Sequence, residues 1–353
     1  MRNVRVLLLV LVLLATARFG QAQEPPHRTT GFHGFLFGDV VYVARERATS
    51  DGFVVGQLVG HGNARMSERV SMFGEVSATA HPDGYSLELE RAIVRYDFAD
   101  GFKLSVGRYH TPASYWNTAY HHGLWLQTSV ARPELIKVGG QYIPVHFVGA
   151  MAEGQLRAGP ATFGYELGVG NGRGSIITRA GDAGDVNRSR ASLAAVRVRP
   201  FDNGLQLGGS VYFDRVATST ETFDERISSA HVVWDRGAPE LIAEYAQVRH
   251  DPRAGGAALT SSGWYAHAGW RLPGALDRFK PYARFERLDV DALDTVFASE
   301  VPDYRAAIGG LRYDFDPMAT LKAEYRRERW RGGEFVNGLY LQVAFAIASA
   351  GVL

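Results

Sequence analysis

Apolar and polar residues alternate along much of the chain. In the segment 204–214, Leu205, Leu207, Val211 and Phe213 hold odd positions, and polar side chains fall at even ones. The same period of two recurs in three further segments, 163–169, 321–326 and 339–347. This period predicts β-strands whose two faces meet different surroundings. Soluble β-sandwiches also alternate, but their strands are usually shorter, about five or six residues, so these segments favour a membrane barrel.

The connections between these segments fall into two classes that take turns along the chain. Short turns are predicted near 66–68, 99–101, 158–160, 201–204, 237–239, 272–278 and 316–318. Longer polar stretches lie at 44–52, 80–84, 111–140, 172–188, 218–224, 250–259, 291–302 and 332–335. Bacterial outer-membrane barrels have short periplasmic turns and longer external loops. The sequence therefore predicts an all-β fold, a 16-stranded antiparallel transmembrane β-barrel from about Phe32 to about Ile347, wide enough for an aqueous lumen.

Aromatic residues lie beside the predicted short turns. Tyr96 and Phe98 precede one turn and Phe102 follows it, while Tyr313 and Phe315 precede another. Amphipathic rings concentrate at the two interfaces of a membrane barrel. A soluble sheet core gives no reason for this placement, so the rings also favour the barrel.

The N-terminal segment predicts the compartment. Arg2 and Arg5 precede an unbroken apolar run at 6–15, and small residues follow it. This pattern is typical of a secretory signal peptide. The run is too short for a spanning helix, which needs about 20 residues. We therefore expect a signal peptide at 1–22 and the barrel domain at 23–353.

Charge and composition exclude several classes of function. The predicted signal peptide holds three arginines and no acid, so the 38 basic and 37 acidic residues become 35 and 37, a formal charge of −2. Net charge therefore indicates no nucleic-acid partner. The chain has no cysteine, which excludes disulfides, thiolate catalysis and thiolate metal sites.

Charged residues are expected on the inner face of the barrel. By alternation, the predicted pore-lining residues are Arg91, Arg95, Lys103, Arg197, Arg312, Lys322, Arg326, Glu166 and Glu324, with Arg199, Glu153, Glu244 and Asp314 on the same face. Rings of charge set the ion preference of a wide pore, so this mixed, slightly basic set predicts a weak anion preference. The alternative is that opposite charges pair across neighbouring strands and brace the wall.

The predicted third loop, 111–140, is unusually long and aromatic. Long ordered loops are usually functional, and we expect this one to fold into the lumen and narrow it. The predicted constriction residues are Tyr115, Trp116, Tyr120, His121, His122, Trp125, Arg132, Glu134 and Lys137. The alternatives are a cap outside the barrel and a contact with a neighbouring subunit.

No cofactor, metal or catalytic residue is predicted. His110, His121 and His122 suggest a metal site, since imidazole is a common ligand. Adjacent histidines in an extended segment point to opposite sides, however, and no carboxylate stands at a helical offset from them. The sequence has no Gly-x-Ser-x-Gly or His-Glu-x-x-His element, and its Gly-rich run 168–174 opens no visible helix that could hold a phosphate. We therefore predict that the protein is not an enzyme.

Three stretches resemble a known family. They are the opening Phe32–Asp39, the strand Leu87–Phe98 with the tight turn and 102–109 after it, and the long loop that follows. These stretches are similar to porins of the phosphate-selective and polyphosphate-selective type, and the resemblance covers the whole mature chain. It implies a 16-stranded trimer in which a ladder of arginines and a group of lysines lead anions through the pore.

Together these features predict a porin of the Gram-negative outer membrane, a passive diffusion channel for ions and small hydrophilic solutes with a weak anion preference. The expected partners are outer-membrane lipid, small hydrophilic or anionic solutes, two further copies in a homotrimer, and the barrel-assembly machinery. Two alternatives come from other classes of protein. One is an outer-membrane barrel enzyme of lipase or protease type, and the other is a structural or scaffold barrel for a periplasmic partner.

Overall fold

Strands make up most of the chain. The computed structural model describes residues 32–47, 51–120, 123–137, 141–173, 176–179, 181–185, 187–297 and 300–348. Within these residues, sixteen strands form one closed antiparallel barrel, in which each strand pairs with its sequence neighbours and the first pairs with the last. The predicted fold class and strand number are therefore confirmed. The predicted signal peptide, 1–22, lies outside the described residues.

The strands are long enough to cross a membrane. A transmembrane β-strand needs about 9 to 11 residues, and the shortest strands within the described residues, β5 and β8, each have 9. The bounds are β1 (Phe32–Arg45), β2 (Gly52–Arg65), β3 (Val70–His81), β4 (Gly84–Ala99), β5 (Phe102–His110), β6 (His146–Ala158), β7 (Ala161–Asn171), β8 (Ala191–Arg199), β9 (Leu205–Ala217), β10 (Thr222–Trp234), β11 (Pro239–Pro252), β12 (Leu259–Trp270), β13 (Phe279–Asp289), β14 (Tyr304–Asp316), β15 (Ala319–Trp330) and β16 (Val336–Ala348).

Shorter and longer connections alternate around the barrel as predicted, with one exception. The longer loop predicted at 80–84 is wrong, because residues 82–83 form a two-residue turn between β3 and β4. The turn 159–160 joins β6 to β7, and Gly159 within it has a φ of 59°. This is the left-handed region, which glycine enters without the steric cost that a Cβ would bring. The long connections 111–145 and 172–190 lie at the other end of the barrel, because successive strands run antiparallel.

The two faces of the sheet differ in polarity. Between β15 and β16, Leu321 pairs with Val343 and both are exposed on the outside, whereas Lys322 pairs with Gln342 and both are buried inside. Apolar surface in contact with water is unfavourable by about 25 cal/mol per Å², and a lipid bilayer removes that cost. The barrel therefore has the apolar outer band and polar interior that are typical of membrane barrels.

The longest connection among the described residues, 111–145, packs against the inner face of the barrel and is called the third loop below. It contains a short helix, α1 (Tyr115–Tyr120), and a 3₁₀ turn, Glu134–Ile136. The predicted loop ended at 140, and the structure extends it to 145, since Pro144 has no N–H to donate to a neighbouring strand. Its side chains join those of β8–β14 in the larger buried apolar cluster. None of the described helices is long and apolar enough to span a membrane.

Candidate functional site

A buried carboxylate on β11 holds the start of the third loop. Glu244 accepts hydrogen bonds from the backbone N–H groups of Tyr115 and Trp116, at 2.7 and 2.8 Å, and from the Ser114 hydroxyl at 3.2 Å. The Tyr265 hydroxyl donates to the same carboxylate. Backbone N–H groups that leave water need partners, and a buried carboxylate needs donors. Each satisfies the other here, which explains why the loop starts against this part of the wall.

Two further carboxylates bind the loop backbone in the same way. Glu324 of β15 accepts from the Val130 N–H at 3.0 Å. Glu286 of β13 accepts from the Glu134 N–H at 2.6 Å. All three acids stand on alternate strands, β11, β13 and β15, so the loop is attached across a broad section of the wall.

Basic residues of the same wall bind the loop carbonyl groups. Arg312 donates to the carbonyl oxygens of Trp125 and Gln127, at 2.7 and 2.9 Å. Lys322 donates to the Ser129 carbonyl at 3.0 Å and to that of a second loop residue. The wall thus supplies acceptors for the loop N–H groups and donors for its carbonyls.

Arg284 is an anchor that the sequence analysis missed. It donates to the Ser129 hydroxyl at 2.7 Å and the Ala131 carbonyl at 2.8 Å, and to Glu286 at 2.7 Å. Its guanidinium carbon lies 5.6 Å from the centre of the Trp116 ring. The sequence did hold a signal for this anchor. Arg284 and Glu286 are a base and an acid two positions apart on one strand, and positions i and i+2 of a strand share a face.

The structure therefore corrects the predicted role of three pore-lining residues, which the third loop covers. Arg312, Lys322 and Glu324 are buried and hydrogen-bonded to the third loop. Arg326 is bonded to Glu324 at 2.5 Å, and its guanidinium lies 3.9 Å from the Tyr340 ring centre. Alternation identified their face correctly but carries no information about which segment covers that face.

The opposite section of the wall leaves its charged residues partly exposed. Arg91 pairs with Glu75 at 2.5 Å, and Arg95 pairs with Asp97 at 2.8 Å and with Glu153 at 3.3 Å. These are the cross-strand and same-strand pairs that the bracing alternative expects. Each base nevertheless remains accessible, since the side chains of Arg91 and Arg95 are 24% and 36% exposed.

Two other predicted pore-lining bases lie in this open section. Lys103 is half-buried and stands opposite Asp97 and Glu153 in the strand register. Arg197 pairs with Glu166 on the neighbouring strand. The open section therefore carries both signs of charge.

A cavity of about 290 Å³ separates α1 from the open wall. Its polar lining includes Thr118, Glu166, Arg197, Ser210, Ser229 and His231. Tyr115 of α1 also faces it, with its ring centre 5.4 Å from that of His231. Burial raises the pKa of Tyr115 to about 12.

The remaining aromatic residues of the predicted constriction pack within the loop or onto the wall. Trp116 is fully buried, and Tyr120 packs on its ring with centres 5.0 Å apart. Trp125 packs against the small apolar cluster around Phe37. These contacts stabilise the loop against the barrel.

The charged residues of the predicted constriction have different environments. Lys137 is exposed and donates to Glu134 at 2.9 Å. Burial lowers the pKa of Arg132 to about 10, which still leaves it charged at neutral pH. His121 and His122 lie outside the described residues.

One group of side chains among the described residues could hold a metal ion. Glu90, His110 and His146 each place a ligand atom within 4.8 Å of the other two. From the sequence, His110 was grouped as a possible metal ligand with His121 and His122 of the following loop. His146 escaped notice because the strand register, which the sequence does not display, brings it opposite His110.

Solved structures of similar fold include three from Gram-negative bacteria. An anion-selective porin from Comamonas acidovorans is 13% identical over 90% of this chain and 99% of that chain, with a TM-score of 0.65. The trimer form of OmpT, an outer membrane protein of Vibrio cholerae, is 13% identical over 90% and 99%, with a TM-score of 0.59. The chain has a porin fold. The outer membrane channel DcaP of Acinetobacter baumannii, 12% identical over 90% and 97% with a TM-score of 0.58, has this fold too.

Sequence comparison adds no family to this result. No protein-family model matches the chain, and no curated protein matches it. Identities near 13% establish the porin fold alone. The resemblance to phosphate-selective porins therefore stays a prediction, as do the expected absences of enzyme activity and of a cofactor.

Proposed function

We propose that the protein is a porin of the Gram-negative outer membrane, a passive channel for small hydrophilic solutes. The observation that carries this proposal is the polar cavity between the third loop and a charged wall, inside a barrel whose outer band is apolar. A barrel of 16 strands is wide enough to keep an aqueous lumen. The third loop, fastened to one section of the wall, would narrow that lumen without filling it.

An anion preference follows from the unequal exposure of the paired charges. The side chain of Arg91 is 24% exposed and that of its partner Glu75 is 0% exposed. For Arg197 and Glu166 the values are 42% and 14%, and Arg95 is also slightly more exposed than its partners. In the pairs of Arg91, Arg95 and Arg197 the base thus meets more water than the acid, whereas Arg108 is less exposed than its partner Asp182. Charged groups that line a wide pore set its ion preference, so we infer a weak preference for anions.

The positions of the lysines favour general anion passage over phosphate selectivity. The chain has four lysines, Lys103, Lys137, Lys280 and Lys322. Lys322 is buried under the third loop, and Lys280 is bound to Glu240. The lysine group that the family resemblance implies therefore has no counterpart in the open section of the wall.

The proposed assembly is a homotrimer in outer-membrane lipid, inserted by the barrel-assembly machinery. The Vibrio cholerae relative was solved in a trimer form. An apolar outer band in the barrel of this chain suits contact with lipid and with neighbouring copies alike. Crosslinking of detergent-extracted protein would test the trimer.

Planar bilayers test the channel and its ion preference. We expect stable conductance from the folded protein and a reversal potential in a salt gradient that indicates anion preference. The variant Arg197→Gln should reduce this preference. The matched control is Arg287→Gln, since Arg287 lies on the outer face of β13 and is similarly exposed, and it should leave the reversal potential unchanged.

One result would contradict the proposed channel, and another would contradict its proposed ion preference. A folded, heat-modifiable barrel that conducts no ions would favour the enzyme or the scaffold alternative. A cation preference in the unmodified protein would leave the porin intact but overturn the argument from unequal exposure.

A further inference from the structure

We propose that Glu90, His110 and His146 form a binding site for a divalent transition-metal ion, with Zn²⁺ as the expected occupant. This site is separate from the proposed passage of solutes and does not depend on it. Two imidazoles and one carboxylate form a donor set that zinc accepts readily, with water in the fourth position.

The strand register brings the three residues together. His110 ends β5 and His146 begins β6, and the two are direct cross-strand partners with ring centres 5.5 Å apart. Glu90 comes from β4, where the pairing steps from Glu75–Arg91 to Val76–Leu89 and leaves Glu90 as an extra residue. Such a bulge redirects a side chain, and here it brings Glu90 to the histidine pair.

The distances lie within reach of metal coordination. His146 Nε2 is 2.9 Å from Glu90 Oε2, and all three ligand atoms lie within 4.8 Å of one another. With metal–ligand bonds of about 2.0 to 2.1 Å, ligand atoms around a tetrahedral zinc ion stand about 3.3 Å apart. Coordination would therefore require the most widely separated ligand atoms to approach by up to about 1.5 Å.

Neighbouring groups support the carboxylate. The Ser77 hydroxyl donates to Glu90 Oε1 at 2.5 Å, which leaves Oε2 directed at His146. Hydrogen bonds of this kind orient ligands in metal sites. Glu75 adds a second carboxylate, 3.9 Å from His110 Nε2.

Two neighbouring guanidinium groups oppose a bound cation, those of Arg108 and of Arg132, whose charge also interacts with Glu90. Arg108 Nη1 lies 3.8 Å from Glu90 Oε2. The same guanidinium donates to Asp182 at 2.7 Å and to the Glu90 carbonyl at 2.5 Å. The charge of Arg108 is therefore shared between Glu90 and Asp182.

The position of the site gives the ion a structural consequence. His110 immediately precedes the third loop and His146 immediately follows it. A bound ion would join the two ends of that loop to each other and to β4. Binding to the folded barrel should therefore raise its resistance to unfolding.

Calorimetric titration of the folded, metal-free protein in detergent with Zn²⁺ tests the proposal. We expect one ion per chain, with affinity reduced at least about tenfold in His146→Ala and Glu90→Gln, in line with the effect of weakening a metal site. The matched control is His81→Ala, because His81 is an exposed strand-end histidine bonded to Ser86. It should bind Zn²⁺ as the unmodified protein does.

Variants are compared only after each migrates as a folded, heat-modifiable barrel. Glu90→Gln keeps the side-chain volume and serves if His146→Ala does not fold. Absence of saturable binding in the unmodified protein would overturn the proposal, and so would equal binding by Glu90→Gln or an equal loss in His81→Ala.

Discussion

The tetrapeptide Arg-Tyr-Asp-Phe occurs twice, at 95–98 on β4 and at 312–315 on β14. In both copies the arginine donates to the aspartate two positions later, at 2.8 Å in the first and 2.7 Å in the second. The other N–H groups of the two arginines have different partners. Arg95 reaches Glu153 on the wall and its side chain is 36% exposed, whereas Arg312 binds third-loop carbonyls and is 9% exposed.

The two sections of the wall differ in the same way as the two arginines. In the section under the third loop, buried acids and bases satisfy the backbone of that loop. In the open section, the same residue types pair with one another and keep contact with water. Identical local sequence therefore produces a structural anchor in one place and a candidate selectivity residue in the other, depending on what covers it.

The largest expected effect comes from removing the acid that holds the start of the loop. Glu244→Ala leaves the buried N–H groups of Tyr115 and Trp116 without their acceptor. At about 1 to 3 kcal/mol for each unsatisfied group, the free energy of unfolding should fall by about 3 to 5 kcal/mol. Urea unfolding followed by tryptophan fluorescence measures the loss, and single-channel recordings should show a larger, noisier conductance.

The control for this prediction is Glu334→Ala. Glu334 is exposed and pairs with the exposed Arg47, so its removal should change neither quantity appreciably. Unaltered stability and conductance in Glu244→Ala would mean that the loop is held mainly by apolar packing.

A smaller loss of stability is expected when the tetrapeptide copy under the third loop, at 312–315, is changed. Arg312→Gln removes donors from the carbonyls of Trp125 and Gln127 and leaves Asp314 with one basic partner, Arg271. Hydrogen bonds to charged groups contribute about 1.5 to 3 kcal/mol, so the unfolding free energy should fall by about 2 to 3 kcal/mol. The same urea titration measures it.

The matching change in the open copy should have the smallest effect on stability and a clear effect on ion preference. Arg95 forms partly exposed pairs, which contribute less than about 1 kcal/mol each. Arg95→Gln should therefore leave the urea midpoint nearly unchanged and shift the reversal potential toward zero anion preference. Equal destabilisation by Arg95→Gln and Arg312→Gln would remove the distinction between the two sections.

Much of the fold could be predicted because its signals are local. Period-two alternation, short turns and long polar connections led to sixteen strands beginning at Phe32 and ending close to Ile347, and β1 and β16 have almost these limits. The inner face of Arg312 and Lys322 was also predicted correctly. Each of these inferences needs only the pleat of a strand and the geometry of a turn.

The sequence by itself determined which residues form strands and which face each side chain takes, because a pleated backbone sends successive side chains to opposite sides. Only the tertiary structure decided what each inner residue meets. The third loop reaches partners such as Glu244, 129 positions from Tyr115, and Arg312, 187 positions from Trp125. The meeting of His110 with His146 likewise depends on the strand register. Contacts over such separations arise from barrel closure and loop docking, which leave no periodic trace in the chain.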